Sequence, residues 1–203
     1  MKKLIIASNN NGKIKEIKEI LSELPLEVVS LSDENINIDV IEDGVTFVEN
    51  AKKKALEICN YLLERGDSGF IVMADDSGIE VDYLNGAPGV YSARYAGEHG
   101  NDNKNNEKLL KNLKGVPWEN RGARFVCELA VIDDNKVYKR VTGYVEGHVL
   151  EEETGVDGFG YDPLFYCDEL KKSFGEANLT EKNIVSHRGR ALMEFKNLIK
   201  EFI

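Results

Sequence analysis

The first third of the sequence switches back and forth between two apolar periodicities, and this restricts the fold more than any other feature. The short continuous runs KLIIAS (residues 3–8), LEVVSL (26–31) and GFIVMA (69–74) read as buried strands. Between them, GKIKEIKEILSEL places Ile14, Ile17, Leu21 and Leu24 at helical spacing. TFVENAKKKALEICNYLLERG likewise puts Phe47, Ala51, Ala55, Ile58 and Leu62 on one stripe that stops at Gly66. The next segment, IEVDYL after DDSG, continues extended, and the polar stretch AGEHGNDNKNNE leads into a helix over KLLKNLKGV. RGARFVCELAVIDDNKVYKRVTGYVEGHVL then shows two long extended runs split by Asp133-Asp134-Asn135, a hairpin signal. The tail repeats Leu192, Phe195, Leu198, Ile199 and Phe202 as a C-terminal helix, with Ser186 as its N-cap. Crossover units early and a hairpin late predict an α/β chain: a mixed β-sheet flanked by helices, with ligand sites at strand ends.

Composition limits what such a sheet can serve. With 203 residues and 42% hydrophobic content, the chain can bury a full core as one domain or as two lobes sharing a sheet. No apolar run is long enough to span a bilayer, so no membrane partner is expected. MKKLIIASNN turns polar at Ser8, too early for a secretory signal, and reads as a first strand. Cys59, Cys127 and Cys167 are widely spaced without a CxxC, each in or beside an apolar run. They are expected to be reduced, buried and inert, which points to a cytoplasmic protein. A formal net charge of −10 argues against a nucleic-acid partner. An anionic ligand must therefore meet a local positive site or bring its own metal.

Several segments carry chemistry. SNNNGK (Ser8, Asn9, Asn10, Asn11, Gly12 and Lys13) lies between the first strand and first helix, where free amides and the helix dipole favour an anion. It lacks the first glycine of a Walker A loop, and an ordinary polar turn is the alternative. MADDSG sets Asp75 and Asp76 side by side where an apolar run stops. The doublet could be a simple turn, but carboxylates at a strand end suit a hard cation such as Mg²⁺ with phosphate oxygens. Glu42 lies in a loop from which it could reach such a metal. Thr46 and Glu49 have capping-box spacing and need no ligand. Of Lys52, Lys53 and Lys54, at most one is expected to turn inward. GAPGVYSARYAG reads as a structural loop whose Tyr91 and Tyr95 pack on the core. DGFGYDP presents Phe159 between two glycines, and EKNIVSHRG gathers Lys182, His187 and Arg188 near a helix N-terminus. His99, His148 and His187 have no metal-ligand spacing, and nothing resembles a covalent nucleophile, so direct attack by water is the simpler chemistry.

Taken in order, SNNNGKIKE, TFVENA, ADDSG, GAPGVYSARYAG, GFGYDP and SHRG resemble the Ham1-like nucleoside triphosphate pyrophosphatases, the inosine triphosphatase family. The resemblance spans residues 8–190. It implies a single Ham1-like domain over residues 1–203, with an elongated mixed sheet, two lobes and a central active-site cleft (Maf/Ham1-like). It also implies a homodimer that uses Mg²⁺ to hydrolyse ITP, dITP and XTP to monophosphate and pyrophosphate. By the same resemblance, residues 8–13 and Lys54 hold the triphosphate, and Asp76 is the proton acceptor and, with Glu42, a metal ligand. Ser77 touches substrate beside the base, while Phe159, Gly160, Tyr161, Asp162, Lys182, His187 and Arg188 form the base pocket. The first motif often has Thr-Gly-Asn where this chain has Ser8-Asn9-Asn10.

Two other readings remain at this stage. One is a Maf-like pyrophosphatase of different specificity, against which Lys182, His187 and Arg188 argue. The other is a nucleotide-binding module without turnover, against which the Asp75-Asp76 doublet and Glu42 argue.

Overall fold

The computed structural model describes residues 2–202. The strands are β1 (Lys3–Ala7), β2 (Glu27–Ser30), β3 (Phe70–Val81), β4 (Gly122–Asp133), β5 (Tyr138–Val149), β6 (Phe165–Cys167) and β7 (Lys172–Ser173). The helices are α1 (Asn11–Ile20), α2 (Phe47–Arg65), α3 (Asp102–Asn112), α4 (Leu179–Val185) and α5 (His187–Leu198). The strands form one seven-stranded sheet in the order β2-β1-β3-β4-β5-β6-β7. β1 pairs in parallel with β2 and β3, while β6 pairs antiparallel with β5 and β7. The mixed sheet expected from the sequence is thus present. No helix among the described residues is long and apolar enough to cross a membrane.

The chain divides into two compact units. The first comprises Met1–Asp76, Cys127–Thr142 and Ala191–Ile203; the second comprises Ser77–Val126 and Gly143–Arg190.

In the first unit, strand alternation explains why the runs are continuously apolar. Leu4 and Ile6 of β1, Ile71 and Met73 of β3, and Cys127, Leu129 and Val131 of β4 pack with Ile17, Leu21, Leu192 and Phe195 from α1 and α5. Their neighbours Ile5, Ala7, Phe70, Val72, Ala74, Ala130 and Ile132 face the other way, onto Ala51, Ala55, Ile58 and Leu62 of α2. A strand covered on both faces has no polar side to show. Ile58 and Leu62 are fully buried, and truncating either to alanine costs about 2–5 kcal/mol. α2 starts where Thr46 Oγ1 accepts the Glu49 N–H at 3.2 Å and ends at Gly66, at φ 89°. The expected capping box is only half made, because Glu49 Oε2 accepts from Val45 N–H, one residue further back.

In the second unit, Ile79, Val81, Phe125, Val145 and Val149 of the sheet pack with Leu109 and Leu113 of α3 and with Phe165 and Phe174.

The elements differ from the sequence reading in several places, among them α1, which ends at Ile20, short of Leu24, and the short strands β6 and β7, which were not expected. β3 runs unbroken through Asp75, Asp76 and Ser77 to Val81, where a stop was expected. α3 begins inside the polar stretch, because Asn101 accepts from Lys104 N–H at 3.1 Å and caps it there. α4 was not anticipated; it is short and held by a capping box between Asn178 and Glu181.

Candidate active site

β1 delivers the chain to SNNNGK, and part of this loop is spent on its own shape. The Ser8 hydroxyl accepts the Asn10 N–H at 3.2 Å. Asn10 Oδ1 accepts the Lys13 N–H at 3.0 Å, which makes Asn10 the N-cap of α1. Asn9 and Asn11 are exposed, Gly12 is half-buried, and no acidic residue occupies the first turn. The amides of Asn11 and Gly12 precede any intrahelical partner, so the positive end of the helix is open to an anion.

Lys13 turns from α1 back to the strand. Its Nζ lies 2.5 Å from Asp75 Oδ1, and the Asp75 side chain is fully buried. The Cys127 thiol donates to Asp75 Oδ2 at 3.2 Å. Strand alternation accounts for this placement: Asp75 follows Ile71 and Met73 on the side of α1, whereas Asp76 follows Val72 and Ala74 on the side of α2. The doublet is two residues serving opposite faces.

Asp76 is 6% exposed. Burial pushes its carboxyl up to about 6; the nearby Glu42 carboxylate adds to the rise, while Lys13 and Lys54 oppose it. Lys54 forms an ion pair with Glu42, and its Nζ donates to the Asp75 carbonyl at 3.2 Å. Lys53 instead pairs with Asp43 at 2.7 Å, and Lys52 lies over the Tyr138 ring at 5.3 Å. One lysine of the run turns inward, as anticipated. Beside Asp76 in α2, the fully buried Asn50 fixes the approach to the helix by accepting the Gly44 N–H at 2.8 Å.

The second unit assembles the other predicted residues. Lys182 is 2% exposed and Arg188 1% exposed. Lys182 Nζ donates to Asp162 Oδ2 at 2.6 Å, and the same oxygen accepts the Phe159 N–H at 2.8 Å. Both cations lie near the Phe159 ring, Lys182 Nζ at 4.6 Å and Arg188 Cζ at 5.8 Å from its centre. Arg188 Nη2 donates to Ser77 Oγ at 2.9 Å. His187 is stacked on Phe125, with ring centres 4.7 Å apart. The turn that carries Phe159 needs Gly158: its φ is +81°, and a β-carbon there would fall 2.2 Å from Asp162 Oδ2. Gly160 N–H donates to Asp102 at 2.8 Å, and Asn106 donates to Gly160 O at 3.1 Å, so α3 grips one residue of this turn from both sides. Tyr161, whose phenol is pushed up by burial, donates to Ser92 O at 2.8 Å.

Ser92 also explains GAPGVYSARYAG. Its hydroxyl accepts the Ile79 N–H at 3.0 Å, and Gly78 leaves it room, since a β-carbon there would lie 2.4 Å from Ser92 Oγ. The loop is structural as expected, but Tyr91 does not pack on the core. It is 53% exposed and covered by Arg94, 5.1 Å from its ring centre.

The structure therefore gathers Lys13, Glu42, Lys54 and Asp76 in one unit, and Ser77, Phe159, Asp162, Lys182 and Arg188 in the other. Sequence reasoning missed Asn50, Asp102 and Asn106, whose signal is that of ordinary polar helix residues. It also read Cys127 as inert. All three cysteines are buried and outside any disulfide, as expected, and Cys127 in addition hydrogen-bonds a carboxylate beside Lys13.

The Ham1 family profile matches residues 4–198. A dITP/XTP pyrophosphatase of Clostridium perfringens is 58% identical over 98% of both chains, and one of Clostridium tetani is 49% identical over 100% of this chain and 98% of its own. The structure of the Staphylococcus aureus Ham1 protein superposes with a TM-score of 0.84 at 38% identity, covering both chains completely. With the motif residues in place and the match running almost end to end, the chain belongs to the Ham1 family.

Proposed function

We propose that the protein hydrolyses non-standard purine nucleoside triphosphates (ITP, dITP and XTP) to the monophosphate and pyrophosphate, removing them from the nucleotide pool before they enter DNA or RNA. The observation that carries this reading is Asp76, a carboxyl held at about 6 by burial beside two lysines. In the metal-free protein a carboxyl of that pKa is ionised at neutral pH and can accept a proton. The relatives named dITP/XTP pyrophosphatase support the substrate class.

In this reading the amides at the start of α1, with Lys13 and Lys54, receive the triphosphate and neutralise its charge. Asp76 takes the proton of a water that attacks the α-phosphorus. The bond from that phosphorus to its bridging oxygen breaks, and its electron pair leaves on pyrophosphate. No covalent enzyme intermediate is required, and positioning and charge stabilisation dominate. Ser77, Phe159 to Asp162, Lys182, His187 and Arg188 hold the base and its surroundings.

Mg²⁺ belongs to the same proposal. Glu42 and Asp76 would hold it: they are hard oxygen donors, and the Glu42 charge that raises Asp76 is a repulsion a divalent cation relieves. When bound, the ion supplies charge neutralisation and orientation of phosphate oxygens. The resemblance also motivates reading the protein as a cytoplasmic homodimer whose partner is a small nucleotide.

Hydrolysis of ITP in heavy-oxygen water tests the reading. The label is expected in IMP, with unlabelled pyrophosphate released intact. Label in pyrophosphate, or direct release of orthophosphate, would contradict attack at the α-phosphorus.

A further inference from the structure

We infer that the Asp75 side chain is a positioning group for Lys13, braced by the Cys127 thiol, and that this side chain acts on the substrate's phosphates through that lysine; the inference rests on the pyrophosphatase reading above. Alternation along β3 separates Asp75 from Asp76, so the doublet cannot be two interchangeable carboxylates. Asp75 Oδ1 meets Lys13 of α1 at 2.5 Å, and Oδ2 meets Cys127 of β4 at 3.2 Å. Partners on two different elements fix the plane of the carboxylate. Its main-chain carbonyl accepts from Lys54 at 3.2 Å, so this one residue touches both lysines assigned to the triphosphate.

The Lys13 ammonium has three N–H groups, of which Asp75 takes one and leaves two for phosphate oxygens. The Lys13 side chain retains 15% exposure where the Asp75 side chain has none, so the lysine is the outward end of the pair. A buried carboxylate without a counter-charge is strongly disfavoured, and a lysine without an anchor samples many rotamers. Each member thus holds the other in a single arrangement, and the substrate meets a preset charge.

The test is a double-mutant cycle on single-turnover cleavage of ITP, with enzyme in excess so that slow variants still give a rate. Lys13→Gln keeps an N–H donor for Asp75 and removes the charge offered to phosphate. Asp75→Asn and Lys13→Gln are each expected to lower kcat/KM at least tenfold, with the Asp75→Asn loss mainly in KM. In the Lys13→Gln background, Asp75→Asn is expected to add less than twofold. Losses that multiply would overturn the inference. Should Asp75→Asn fail to fold, Cys127→Ala carries the same logic: a two- to fivefold loss with Lys13 present, restored by Cys127→Ser and absent in the Lys13→Gln background. A Cys127→Ala loss of equal size in both backgrounds, or no loss at all, counts against it. Failure of the unmodified protein to cleave ITP would speak against the pyrophosphatase reading, an outcome distinct from multiplied losses in an active enzyme.

Discussion

Asp76→Asn is expected to reduce ITP turnover by about 10³-fold while nucleotide affinity stays within a fewfold of the unmodified protein. General-base assistance contributes about 10²–10⁴-fold, and the amide keeps the shape of the carboxyl without its basicity. The phosphate loop, Lys13 and the Phe159 turn are untouched by the change. A variant that keeps a tenth of its turnover would remove Asp76 from the base role. The same substitution is expected to stabilise the metal-free protein, because the folded state raises this carboxyl from 3.8 to about 6. A folded pKa above the unfolded one means that stability is complete below about 3.8 and is lost as pH rises to about 6. The ionised, buried form then carries a penalty of about 3 kcal/mol at higher pH. Asparagine never ionises, so its advantage in urea unfolding should open between pH 4 and 6, level off above 7 and be absent in acid. An advantage of equal size at every pH would refute burial of the charge as its origin.

The second large effect concerns the base. ITP, dITP and XTP are expected to exceed ATP in kcat/KM by about 10²-fold or more, and to exceed GTP as well. Hypoxanthine and xanthine present a 6-oxo acceptor, adenine a 6-amino donor. Lys182 and Arg188 are almost fully buried and can only donate. Asp162 accepts from Lys182 and Ser77 accepts from Arg188, which holds both cations in place as donors. Facing a second donor, such groups lose about 1–3 kcal/mol each, more when charged. GTP shares the 6-oxo group, so its rejection must arise near position 2 of the ring. Arg188→Ala should narrow the gap by weakening the oxo-purines selectively, in a panel assayed by pyrophosphate release. Equal losses on every nucleotide would make Arg188 a structural or phosphate contact and not a reader of the base.

Much of this arrangement could be read from the chain. The apolar runs located β1, β2 and the start of β3, and Thr46 with Gly66 marked both ends of α2. The loop at residues 8–13 was recognisable because it joins a strand to a helix whose first turn has no acid. The end of β3 was misread because two aspartates after an apolar run look like a turn. They stay in the strand, Asp75 paired with Lys13 on one face and Asp76 buried on the other near Glu42 and Lys54, a fact of three-dimensional packing that local pattern does not encode. For the same reason Cys127 gave no signal: in sequence it is one apolar residue among several, and only the register of β4 beside β3 brings its thiol to Asp75. Asn50, Asp102 and Asn106 act through hydrogen bonds to groups outside their own helices, which spacing cannot reveal.

The unbroken course of β3 also limits how the gene can drift. Each residue in a strand changes face, so gaining or losing one codon upstream within it turns every later side chain over. After a one-codon insertion, Asp75 would occupy the position of Asp76 toward α2 while Ala74 faced Lys13. A one-codon deletion would do the reverse, keeping an aspartate for Lys13 and putting Ser77 in the place of Asp76. Either allele retains the Asp-Asp-Ser-Gly motif in its reading frame and loses half of the charge arrangement. Length variation in descendants should therefore be confined to connections such as residues 134–137, where added residues leave the order of faces unchanged.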